Sequence, residues 1–197
     1  MKNLSKFIVA AFMLSVFFMG CKKDDDTPKN HMTYNDTEYD LSQGVLENYG
    51  QVSRSSVYNF DLVLLSSGFV IHDSNGEFDS LSGSGHGIVF ELFTSSFDDL
   101  AVGDYVYDAQ SESAGTFDYA NGVLDYDMET ETGTEFEING GKLTVVQNGN
   151  EYEVNFDCTT TVNGKKITGF YKGSLKYYDY HDDLKSSKNV SKDSHFK

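Results

Sequence analysis

The most regular stretch of the chain is Tyr152 to Cys158, where Tyr152, Val154, Phe156 and Cys158 alternate with polar Glu153, Asn155 and Asp157. A period of two puts the sets on opposite faces of a β-strand, one towards a core and one towards solvent. Lys142 to Gln147 precedes it across Asn148-Gly149-Asn150, a turn composition, so the two runs predict a hairpin whose second arm spans Glu151 to Thr160. A further turn at Asn163-Gly164-Lys165 leads into one expected strand, Lys166 to Tyr178. Ile167, Tyr171, Leu175 and Tyr177 form its apolar side, while Phe170 and Gly173 interrupt the alternation.

Upstream, Val57 to Leu65 and Ile88 to Phe93 are almost continuously apolar, which suits strands covered on both faces. Val123 to Glu129 returns to alternation, with Leu124, Tyr126 and Met128 inward and Asp125, Asp127 and Glu129 outward, and Thr134 to Ile138 follows the same rule. Leu100 to Asp108 reads as a loop, a turn at Gly103-Asp104 and a short strand from Tyr105. Pro28 is the only proline, and no long stripe recurs at the helical period. The expectation is an all-β domain of about eight to ten antiparallel strands in a two-sheet β-sandwich, with a lipocalin-like or other closed β-barrel as the alternative.

The ends of the chain read differently. Lys2 and Lys6 precede an apolar run from Phe7 to Met19, broken only by Ser15 and followed by the small residue Gly20, so residues 1–20 are expected to be a signal peptide. The run is shorter than the ~20 residues a spanning helix needs. Residues 21–30 follow as a charged tether, residues 31–180 as the β-domain, and residues 181–197 as a polar tail too poor in apolar side chains to build a core and expected to be disordered.

Phe18-Met19-Gly20-Cys21 resembles the lipobox of bacterial lipoproteins. The resemblance implies that Cys21 is acylated and becomes the first residue of the mature protein. Each buried methylene contributes ~0.8 kcal/mol, so two or three acyl chains hold a soluble domain at a membrane where one would not. Lys22-Lys23-Asp24-Asp25-Asp26 resembles the export signal of Bacteroidota surface lipoproteins, which implies an outer-membrane protein exposed at the cell surface, with a periplasm-facing location as the alternative. Gly141-Lys142-Leu143, Gly149, Tyr152, Phe156-Asp157, Asn163-Gly164-Lys165, Gly169, Tyr171, Gly173 and Leu175 resemble the C-terminal β-meander of small Bacteroidota lipoproteins. These are turn glycines and core positions, so that resemblance implies fold and location without an activity.

Charge narrows the partners. The net charge is −16, and removal of the leader lysines makes the mature chain more acidic still. Nucleic-acid binding rests on clustered Lys and Arg, and Arg54 is the only arginine, so nucleic acid is excluded as a partner. Only two cysteines are present; with Cys21 acylated, Cys158 has no internal disulfide partner, and its phase with Tyr152, Val154 and Phe156 makes it a small buried apolar residue.

Few residues suggest chemistry. Asp73, Asn75 and Asp79 surround the turn residue Gly76 with oxygen donors suited to calcium, though without the spacing of an EF-hand. Calcium is the one cofactor that these residues suggest. Asp79-Ser80-Leu81 matches the three-residue O-glycosylation pattern of exported Bacteroidota proteins, making Ser80 a candidate modification site. Gly83-Ser84-Gly85-His86-Gly87 lacks the following helix that a phosphate loop needs and reads as a flexible connection into the strand at Ile88. No Gly-x-Ser-x-Gly elbow occurs, and the five histidines show no metal-ligand spacing. With Trp absent, Tyr177, Tyr178 and Tyr180 are the candidate ligand-binding aromatics.

No catalytic residue is assigned on these grounds. The expected function is a membrane-anchored surface domain that binds an extracellular glycan or protein ligand without catalysis. The alternatives are a carboxylate-dependent hydrolase, which needs two facing acids in a cleft, and a structural or assembly protein of the envelope.

Overall fold

A computed structural model describes residues 28–52, 55–74, 76–181 and 196. The lipidation candidate Cys21, the leader and most of the tether lie outside the described residues, as do Asn75 and Arg54. The described residues are all-β, with no helix. Twelve strands follow one another: β1 (His31–Tyr34), β2 (Thr37–Asp40), β3 (Gln43–Gln51), β4 (Tyr58–Leu65), β5 (Phe69–Ser74), β6 (Glu77–Thr94), β7 (Gly103–Tyr107), β8 (Thr116–Asp127), β9 (Thr132–Gln147), β10 (Tyr152–Thr160), β11 (Lys166–Gly173) and β12 (Lys176–Asp179).

Hydrogen bonds join eleven of them in one path, β12-β3-β4-β6-β8-β7-β9-β10-β11-β1-β2, while β5 pairs only with β6. Instead of two separate sheets, the ladders describe a single strongly curled open sheet, a half-barrel. All pairings are antiparallel except β12 with β3 and β7 with β8. The β1–β2 hairpin, which the alternation pattern does not announce, turns at Asn35 and Asp36, both at positive φ (51° and 63°). Two successive positive-φ residues match the right-handed twist of the flanking strands, and Asn and Asp tolerate that conformation best after Gly.

The sheet has an apolar layer on each face. The larger layer gathers Leu46, Phe60, Leu62, Phe90, Phe117, Leu143, Val154, Phe156 and Ile167 inside the curl. The smaller covers part of the outer face with Val45, Val63, Leu65, Phe69, Val89, Val123, Tyr126 and Tyr178. This double coverage explains the continuous apolar runs of β4 and the second half of β6. Of the chain from residue 181 onward, His181 and Phe196 are described, and the Phe196 ring is buried on the outer layer 6.2 Å from that of Phe69.

Three local expectations are corrected. Gly83 to Gly87 is not a flexible connection but the middle of the 18-residue strand β6. There β6 passes from its ladder with β5 to those with β4 and β8. The glycines serve close approach: a Cβ on Gly85 would lie 2.2 Å from the Ser66 hydroxyl oxygen, and Gly83 sits at φ +88° against the Gly68 carbonyl. In β8, Leu124 and Tyr126 do not share a face, because Asp125 takes φ +49° in a bulge that sends Leu124 to the inner layer and Tyr126 to the outer. The strand expected from Lys166 to Tyr178 breaks after Gly173, where the Tyr171 hydroxyl donates to the Ser174 carbonyl over 2.8 Å. Beyond the break, β12 crosses to run parallel to β3 and the phase inverts. Tyr178 is buried, and Tyr177 is not.

Candidate ligand surface at the end of the curled sheet

The inverted phase of β12 separates the three candidate tyrosines. Tyr178 packs in the outer layer, where its hydroxyl donates to Asp73 over 3.3 Å, and partly buried Tyr180 stacks on Tyr49 with ring centroids 5.5 Å apart. Tyr177 is paired with Leu46 of β3 and therefore turns towards the other side, 44% exposed. Its hydroxyl accepts a 2.9 Å hydrogen bond from the Asn48 side chain.

Asn48 organises this end of the sheet. It lies at a bulge of β3 and is only 1% exposed. Its amide nitrogen donates both to the Tyr177 hydroxyl and, over 3.1 Å, to the Phe97 carbonyl, while its side-chain oxygen accepts the Gly50 N–H at 2.8 Å. A buried amide satisfied at both of its polar atoms is a rigid post, since breaking any of these bonds leaves a desolvated group without compensation.

Phe97 belongs to the loop joining β6 to β7, and it is 43% exposed. Its ring meets Tyr58 and His181 edge-on, each with centroids 5.4 Å away. The following residues fasten the loop from the opposite side. Asp99 accepts from the Tyr152 hydroxyl and from the Leu100 N–H, and the Asn148 side chain donates to the Leu100 carbonyl over 2.7 Å. Leu100 itself is fully buried. The loop is thus tied to β3, β10 and the β9–β10 turn, which holds the half-exposed Phe97 in a fixed place.

The surroundings are acidic. Burial first, and then the carboxylates of Asp179, Asp98 and Asp99, push the Tyr177 hydroxyl above its ordinary range, against the opposing effect of the Asn48 hydrogen bond. Burial and the bond to Asp99 push up that of Tyr152. This end of the sheet therefore carries two half-exposed aromatic residues, and of the nearby carboxylates Asp99 already accepts from Tyr152 and Leu100 and Asp179 from His181. An exposed aromatic ring can stack on an apolar face.

Other places account for the remaining candidates. A cavity of about 330 Å³ lies where the tether enters, lined by Asn30, Gln43, Ile71, Tyr171, Lys172 and Lys176. Its cations are engaged: Lys172 pairs with Glu153 at 3.0 Å and Lys176 with Asp73. The calcium candidate Asp73 thus already holds Lys176 and the Tyr178 hydroxyl. Asp79 is exposed and accepts from Ser80, itself exposed on β6. Among the described residues no group of three His, Cys, Asp or Glu side chains is placed to hold a metal ion. Cys158 is 1% exposed, with its thiol pushed up to about 12 by burial.

Carboxylates do come together on the outer face, where cross-strand pairing sets Glu47 beside Asp61 and Asp61 beside Glu91. Tyr49 donates to Glu47 and Asn59 to Glu91, each over 3.2 Å. Glu47 is 1% and Glu91 5% exposed, while Asp61 between them is partly exposed, so the two outer acids of the row are screened from a glycosidic oxygen and its attacking water.

The sequence pattern singles out Tyr177 but not Asn48, Phe97 or Asp99. Their one local signal is an amide interrupting the apolar face of β3, and its partners lie 49 and 129 residues away. No protein-family model, curated protein or solved structure matches the chain.

Proposed function

We propose that this chain is a lipid-anchored outer-membrane protein of the cell surface whose β-domain binds an extracellular glycan or protein ligand without transforming it. The anchor rests on the leader and on Cys21 directly after Gly20. The binding reading is carried by one observation: two half-exposed aromatic residues, Phe97 and Tyr177, are fastened to the same buried amide, that of Asn48. Exposed aromatics cost little rotamer entropy on binding when the fold already holds them, which favours recognition. The hydrolase alternative draws on the Glu47–Asp61–Glu91 row, and the burial of Glu47 and Glu91 weighs against it.

Two experiments test the proposal. Cys21→Ser should abolish labelling by a fatty-acid analogue and move the protein out of the membrane fraction; unchanged labelling and fractionation would refute the anchor. Full-length protein in a detergent without a sugar headgroup should bind a member of a panel of glycans and envelope proteins and leave chromogenic glycosides and esters intact. Turnover that disappears on replacing an acidic pair would replace binding with hydrolysis.

A further inference from the structure

We infer that the outer face of β3, β4 and β6 is a docking surface for a basic segment with an aromatic anchor, and that its occupant is the chain's own C-terminal segment after His181. Two described residues mark where that segment leaves the sheet and where it returns. His181 packs against Gly50, its Cβ 2.9 Å from where a Gly50 side chain would begin. Phe196 is buried over Gly87, whose missing Cβ leaves room for the ring, and its ring lies 6.2 Å from that of Phe69.

The strand register places both points on one face. Gly50 pairs with Asn59 of β4, and Gly87 pairs with Leu65 of the same strand. Paired positions project to the same side of a sheet, and Asn59, Asp61, Val63 and Leu65 alternate on the side of the outer layer. Six residues of β4 separate the two points, a distance of about 20 Å. Fourteen residues separate His181 from Phe196, and at roughly 3.3 Å per residue they span that distance without strain.

Charge matches along the interval. The Glu47–Asp61–Glu91 row crosses β3, β4 and β6 between the two points. Residues 184–192 contain Lys185, Lys188 and Lys192 and no acid. Carboxylates as buried as Glu47 and Glu91 are costly unless donors or cations lie against them. Lys142, Lys166, Lys172 and Lys176 are committed elsewhere, to Asp104, Asp157, Glu153 and Asp73. The same segment of a second copy has the same sequence, but it must first give up its translational freedom, whereas the chain's own segment begins and ends on the face.

The test is zero-length cross-linking of full-length protein in detergent, on an equal mixture of nitrogen-15-labelled and unlabelled chains. A carbodiimide joins a lysine amine to a carboxylate in contact with it, and mass spectrometry of the peptides identifies the pair. Links from Lys185, Lys188 or Lys192 to Asp61 or its neighbours in the row are expected, each within one isotopic form. Tryptic cleavage after the same lysines should be about tenfold slower than in Phe196→Ala, because cleavage waits for the segment to leave the face. Links spread evenly over Asp104, Asp157 and the row, or no links to the row, would overturn the inference. Links that join labelled to unlabelled chains would overturn the choice of occupant in favour of a second copy. Equal cleavage rates in the two proteins would show that Phe196 anchors nothing and would overturn it as well.

Discussion

Asn48 and Tyr177 are 129 residues apart in the chain, and the amide of the first donates a 2.9 Å hydrogen bond to the hydroxyl of the second. The same amide holds the Phe97 carbonyl and the Gly50 N–H, so the packing of this end of the sheet depends on one side chain. Asn48→Ala removes all three bonds. At ~0.5–1.5 kcal/mol each, the expected loss is about 2–3 kcal/mol. That lowers the melting temperature by ~2–4 °C per kcal/mol in a domain of this size. Thermal unfolding followed by circular dichroism measures it, and a loss below about 0.5 kcal/mol would show the post to be dispensable.

Cys158 should resist modification. With its thiol pushed up to about 12 by burial, the thiolate at pH 8 amounts to roughly one molecule in ten thousand even before access is counted. Maleimide labelling is expected to take hours in the native protein and seconds in urea. Rapid native labelling would place Cys158 outside the inner layer.

Alkaline pH should destabilise the fold through the same kind of group. Burial pushes Cys158 and Tyr171 up to about 12, and burial with the neighbouring Asp99 raises Tyr152. The unfolded chain releases these protons near their ordinary values of ~8.5 for Cys and ~10 for Tyr. Above those values the unfolded state binds fewer protons than the folded state, so stability is complete below about pH 8 and falls as pH rises towards about 12. Urea midpoints measured from pH 7 to 11.5 should show a plateau and then a decline that Tyr171→Phe makes shallower. A flat profile to pH 11.5 would contradict the burial of these groups.

Gly169 faces Phe156 across the β10–β11 ladder, and an added Cβ would stand 2.1 Å from the Phe156 ring. That ring in turn packs 5.3 Å from Phe90, leaving it little room to retreat. Gly169→Ala is therefore expected to cost about 1–3 kcal/mol by overpacking, read as a lower urea midpoint. A neutral or stabilising effect would mean that the ring is free to move.

Phe196 lies over Gly87, where a Cβ would come within 2.9 Å of its ring. Phe196→Ala should cost about 2–3 kcal/mol, less than the ~3–5 of a central core phenylalanine because the surrounding outer layer relaxes. Gly87→Ala should displace the ring and give a loss that does not add to that of Phe196→Ala. Strict additivity of the two would show that they do not touch.

Much of the strand content was legible in the sequence. Alternation along Tyr152 to Cys158 marked β10, its inward face and the burial of Cys158, and the Asn-Gly clusters marked both of its turns. These features depend on residues two to ten positions apart, and side-chain period and turn chemistry are local physics. Other features waited for the tertiary structure. Gly83 to Gly87 reads as a loop until β5, β4 and β8 are seen to crowd it. Tyr177 reads as core until the break after Gly173 sends β12 parallel to β3. Whether ten or twelve strands form sandwich, barrel or half-barrel depends on which edges pair, and nearly every alternating strand in the chain offers the same backbone donors and acceptors. The Asn48, Phe97 and Tyr177 constellation lies furthest from local reading. Each residue alone is an ordinary polar or aromatic position, and only the curl of the sheet brings a β3 bulge, the β6–β7 loop and the crossed-over β12 within one hydrogen-bond length of a single amide nitrogen.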